Sequence, residues 1–77
     1  MRKFNLEEAK AGKAVCTRAG DKARIICFDR KSENYPIIAL IQDTEKVESV
    51  EEFTINGYYY KHETEEDEDL MMVDDET

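Results

Sequence analysis

Residues Ile37 to Ile41 are apolar without a break, and that run limits what the chain can fold into more than any other feature. An antiparallel strand with one wet face alternates apolar and polar side chains, whereas a strand covered on both faces does not. Ile37, Ala39 and Ile41 share one face of such a strand, and Ile38 and Leu40 share the other. With 77 residues the chain has room for one sheet and little to lay over it. The sheet must therefore curl around its own apolar surface, or a second copy of the chain must cover what is left. The fold expected is mainly β: a small antiparallel rolled sheet or SH3-like barrel of about five strands, with one short N-terminal helix.

The flanking sequence supports this reading. Asn5 is a good N-cap and Glu8 stands where a capping-box side chain reaches back, so a short helix with Leu6 and Ala9 on one face is expected, closed by Gly12. Strands are expected over about Lys13 to Thr17, Lys22 to Asp29, Tyr35 to Ile41 and Glu48 to Ile55, with a tight connection at Arg18-Ala19-Gly20-Asp21. Pro36 is tolerated only at a strand's start or edge. Asn56-Gly57 reads as a two-residue hairpin turn, which would set Ile55 against Tyr58, Thr54 against Tyr59, Phe53 against Tyr60 and Glu52 against Lys61. Leu70 to Val73 reads as a short closing strand near Phe4.

Charge is unevenly spread along the chain. The formal net charge is −8, but the acids from Glu63 onward, with no Lys or Arg among them, carry −9 and leave the body at +1. The expected organisation is a β domain over 1–62, a mobile acidic segment over 63–69, a closing strand over 70–73 and a disordered tail over 74–77. No apolar run approaches the roughly 18 residues of a spanning helix, and the N-terminal stretch lacks the apolar segment of a secretory signal. The expected compartment is the cytoplasm, with no membrane contact.

The order FNLEEAKAGKAVCTRAGDKARIICFDRK, NYPIIALI, NGYY and DLMM resembles a family of small uncharacterised β-rich proteins and domains from gut bacteria, prophages and phages. Their text reads FDLEKAKAG, TRDGRKARI, YPIVALI, DGRY and DLFM in the corresponding places. This chain departs from that pattern at Ala19 and in the longer acidic stretch before Leu70. The resemblance implies a small β fold and carries no catalytic residue, since no activity is established for the family.

Chemistry-bearing residues are sparse. Cys16 and Cys27 stand about four positions out of register on neighbouring strands, roughly 13 Å apart along the strand, too far for a disulfide. They read as small core hydrophobes. His62 lies at a strand end beside Glu63, with no CxxC and no second His to build a metal site. Each of the three glycines falls at a cap or turn, which leaves none for a phosphate loop, and no nucleophile elbow is present. No cofactor, metal or enzymatic activity is expected. A nucleic-acid face could be assembled from Lys13, Lys22 and Arg24 with Tyr58 and Tyr60, yet consecutive tyrosines alternate in direction and the acidic end opposes long-range attraction, so nucleic acid is not the expected partner. The expected role is a non-enzymatic interaction module, a homodimer formed through Ile26, Phe28, Ile38 and Leu40, with an unidentified protein as a further possible partner. The alternatives are a nucleic-acid accessory protein with an autoinhibitory acidic tail, and an acidic phage-type inhibitor.

Overall fold

The computed structural model describes residues 1–73; the tail expected over 74–77 lies outside them. In chain order the elements are β1 (Arg2–Lys3), α1 (Leu6–Lys10), β2 (Val15–Thr17), β3 (Lys22–Cys27), β4 (Ile37–Gln42), β5 (Glu48–Phe53) and β6 (Leu70–Met72). The six strands form one antiparallel sheet in the order β1-β6-β2-β3-β4-β5. The sheet is open, with β1 and β5 as its edges. It is rolled, because Phe53 on the edge strand β5 shares a core cluster with Leu70 of β6, Ile37, Ala39 and Ile41.

The apolar run on β4 settles into strict alternation. Ile37, Ala39 and Ile41 are buried, while Ile38, Leu40 and Gln42 are half-buried on the other face. The inner face is covered by α1 and the segment leading into it: Ala9 joins Val15 and Met72, and Phe4 packs against both core clusters. Asn5 caps the helix by accepting from the Glu8 N–H at 3.0 Å. Glu8 does not complete the capping box; its carboxylate instead takes the Arg2 guanidinium at 3.0 Å. The helix ends in a Schellman pattern, with the Lys13 N–H donating to Glu8 O, the Gly12 N–H donating to Ala9 O and Gly12 at φ +96°.

Two turns of identical chemistry shape the rest. In Thr17-Arg18-Ala19-Gly20-Asp21 the Thr17 N–H donates to Asp21 O at 2.8 Å, the Gly20 N–H to Thr17 O at 2.9 Å, and the Asp21 N–H to Thr17 Oγ1 at 3.0 Å. Thr54-Ile55-Asn56-Gly57-Tyr58 repeats the set at 2.9, 2.9 and 3.1 Å. Both are three-residue loops closed by a glycine with positive φ. The second loop therefore sets Thr54 against Tyr58, one residue off the expected pairing, and the expected Tyr58–Lys61 strand does not form. Its place is taken by irregular chain in which Tyr59 meets Phe53 edge-on, with ring centroids 6.2 Å apart. The closing strand expected at Leu70 is present and pairs with both β1 and β2.

Within the acidic segment over 63–69, expected to be mobile, residues 66–69 bond to the β2–β3 turn: the Arg18 N–H donates to Asp69 O, the Ala19 N–H to Asp67 O and Arg18 Nε to Glu66 O. Asp69 is 1% exposed. Its Oδ1 accepts from the Tyr59 N–H at 2.8 Å, and its Oδ2 accepts from the Glu66 N–H at 3.0 Å and from Arg18 Nη2 at 3.1 Å. Three donors, one of them charged, compensate a carboxylate that burial alone would penalise. Asp69→Ala leaves two backbone N–H groups and a guanidinium without their acceptor, and is expected to destabilise the fold by about 3 kcal/mol in denaturant melts. Gly57 gives a second test. A Cβ there would lie 2.6 Å from Phe4 Cγ, whereas one at Gly20 meets nothing within 4 Å. Gly20→Ala should cost about 1 kcal/mol for its backbone alone, and Gly57→Ala about 3 kcal/mol or more, because a clash adds to the same strain.

Candidate interaction face

The outer face of β3, β4 and β5 carries the chain's surplus apolar surface. Strand register sets Arg24, Leu40 and Val50 in one row and Cys27, Ile38 and Glu52 in the next. Between Ile25 and Cys27 the pairing slips by one residue, so Ile26 and Cys27 both lie opposite Ile38. Val50 is 68% exposed and Ile26 55%, and Val47, just before β5, is also exposed. Among the described residues the one helix lies against the opposite face, and nothing comparable covers this one.

Two ion pairs bridge from β3 and the chain just beyond it to β5, across β4. Arg24 holds Glu48 in a bidentate pair, Nε to Oε2 and Nη2 to Oε1, both at 2.8 Å. These bonds hold the Glu48 carboxyl below its ordinary range and push the Arg24 guanidinium above its own. Farther along, Arg30 pairs with Glu52 while donating from Nε and Nη2 to the Tyr35 carbonyl. The strip formed by Ile38 and Leu40 thus has a charged bridge at each end.

Three of the four residues expected to form the contact, Ile26, Ile38 and Leu40, share this face. Phe28 does not: the bulge spends one residue without advancing along β4, which turns Phe28 inward against both core clusters. Val50 also lies on this face, set between Glu48 and Glu52 at a period of two in ESVEEF. The five residues of the nucleic-acid arrangement are dispersed. Lys22 and Arg24 stand on β3 and Lys13 is exposed in the loop after α1. Tyr58 lines a cleft of about 210 Å³ with Lys3, Phe4, Arg18 and Leu70, and Tyr60 lies edge-on to Tyr59 at 4.8 Å.

On the inner side, Glu51 of β5 reaches Tyr59 and also borders a hollow of about 350 Å³ with Asp21, Asp43, Asp67 and Glu68. Among the described residues no group of three or more His, Cys, Asp or Glu side chains is placed to hold a metal ion. Cys16 and Cys27 are not joined in a disulfide, and no helix of the described residues is long and apolar enough to cross a membrane.

With this geometry in hand, comparison with known proteins adds one fact. The family model described as Haemophilus phage HP1 protein YO09 matches residues 1–76. The chain belongs to that family. No curated protein and no solved structure matches it. The YO09 match agrees with the phage side of the resemblance drawn from the TRAGDKARI, YPIIALI and DLMM segments.

Tyr59 supplies a titration test. The negative charge of Glu51, followed by burial and the neighbouring Tyr60, raises its phenol above the ordinary value. The folded state thus holds this proton more tightly than the unfolded chain, so the contribution is intact below the unfolded pKa and fades as pH rises through the folded one. Ultraviolet titration should show a phenol ionising late, stability should fall on the alkaline side, and Tyr59→Phe should remove the late phase.

Proposed function

We propose that this phage-family protein is a small non-enzymatic interaction module whose outer sheet face binds a second copy of the chain. The observation that carries the reading is the apolar strip of Ile38 and Leu40, extended sideways by exposed Ile26 and Val50, on the face opposite the helix. An apolar sheet face left bare on a domain of this size is a common mark of association. The reading places the protein in the cytoplasm, consistent with Cys16 and Cys27 not forming a disulfide with each other.

The nucleic-acid alternative has less support. All four arginines hold a carboxylate: Arg2 with Glu8, Arg18 with Asp69, Arg24 with Glu48 and Arg30 with Glu52. Binding phosphate would require breaking those pairs. The acidic-inhibitor alternative is favoured by one observation, that Asp67 and Glu68 join Asp21, Asp43 and Glu51 around a single hollow on folded backbone. It requires salt-sensitive binding to a basic protein and no change in the mass of the free chain with concentration.

Sedimentation velocity across micromolar concentrations decides between them. A mass rising toward two chains is expected, and Val50→Lys or Leu40→Glu should weaken the association by about tenfold or more. Val50 is exposed enough that its substitution should leave the thermal midpoint unchanged. A single-chain mass at high micromolar concentration contradicts the proposal.

A further inference from the structure

The outer face is striped by charge as well as by hydropathy, and the stripes specify how two copies meet. On β3 the outward residues before the bulge are Lys22 and Arg24; on β4 they are Ile38, Leu40 and Gln42; on β5 they are Glu48, Val50 and Glu52. The order across the face is basic, apolar, acidic. Resting on the self-association proposed above, we infer that the dimer is a face-to-face stack whose two-fold axis runs along β4, so that β3 of one chain lies over β5 of its partner.

The inference follows from comparing the symmetric alternatives. Rotation about an axis along β4 exchanges the two flanking stripes and leaves the central one in place. Leu40 and Ile38 then meet their own copies, Lys22 lies over the partner's Glu48, Arg24 over the partner's Val50 and Ile26 over the partner's Glu52. Lys22 and Glu48 thus meet twice with opposite sign, and the apolar centre meets itself. An axis across the strands through Leu40 would lay Arg24 on its own copy and Glu48 on the partner's Glu52, so like charges would oppose at both sides. Antiparallel pairing of the exposed β5 edges, centred on Val50, would set Glu48 against Glu52 and Glu51 against Ser49, which is the acidic edge by which sheets resist such pairing. Of these three, the first alone sets no like charges against each other.

Scale is consistent with a modest dimer. Three strands at about 4.8 Å spacing and five residues at about 3.3 Å rise present a patch roughly 15 by 17 Å, about 250 Å² on each chain, well under the ~800 Å² per partner of a standard interface and in the range of weak, transient contacts. A dissociation constant of the order of micromolar is expected rather than an obligate dimer. The Arg24–Glu48 and Arg30–Glu52 bridges lie at the two ends of the strip and stay within each chain, so Lys22 is the cation that adds a new pair, to the partner's Glu48.

The test is zero-length carbodiimide cross-linking of an equal mixture of ordinary and 15N-labelled protein, at a concentration where sedimentation shows dimer. Peptides joining Lys22 to Glu48 with one light and one heavy partner are expected. A charge-reversal pair provides the second measurement: Lys22→Glu should weaken the dimer about tenfold, and Lys22→Glu combined with Glu48→Lys should recover most of that loss. A Val50-sensitive dimer that gives no mixed-isotope Lys22–Glu48 link and no recovery in the double variant overturns this orientation and leaves the self-association standing. A chain that stays single at high micromolar concentration removes the self-association itself.

Discussion

A five-residue helix must serve a six-stranded sheet, and most of the structure follows from that disproportion. At about 1.5 Å per residue, α1 is under 10 Å long and can lie against only part of one face. The sheet responds by rolling, which brings Phe53 of the β5 edge to Leu70 of β6 and lets the two faces differ sharply in cover. The inner face is closed by Ala9, Phe4 and the chain around Tyr59. The outer face retains Ile26, Ile38, Leu40 and Val50, with an ion pair at each end of the strip. Function is read from this asymmetry because the chain's polar chemistry is otherwise consumed in holding its own loops.

Asp69 shows how thoroughly it is consumed. A rolled sheet this short needs its return segment fixed at both turns, and one carboxylate reaches both of them. Through Arg18 it holds the first Thr-x-x-Gly turn, and through the Tyr59 N–H it holds the chain leaving the second. Its neighbour continues the work, since the Leu70 N–H donates to Gly57 O at 2.8 Å. The acidic segment is therefore part of the scaffold at Glu66 and Asp69, while Glu65, Asp67 and Glu68 remain exposed.

Several elements were legible because each rests on local chemistry. Asn5 and Gly12 mark the helix ends, the period-two pattern marks β4 and β5, and Leu70 to Met72 stands out as apolar text after a charged run. What was not legible has specific causes. Ile25-Ile26-Cys27-Phe28 is apolar throughout, so a bulge that switches the parity of Phe28 leaves no trace in the pattern. Asn56-Gly57 reads as the two centre residues of a turn, but the Thr54 hydroxyl bonds the Tyr58 N–H and makes the loop one residue longer. Thr17 does the same at the first turn. Burial of Asp69 depends on Arg18, 51 residues earlier in the chain, and an acid inside an acidic run carries no local sign of such a partner.

Under the proposed self-association, the outer face of β4 is where two copies of this chain meet. Methyl NMR over a dilution series tests it most directly. Concentration-dependent shifts are predicted for the methyls of Ile26, Ile38, Leu40 and Val50, with those of Ile37 and Ile41 on the inner face unchanged. Spectra invariant with concentration, or shifts confined to methyls off this face such as those of Met1 and Val73, would contradict it.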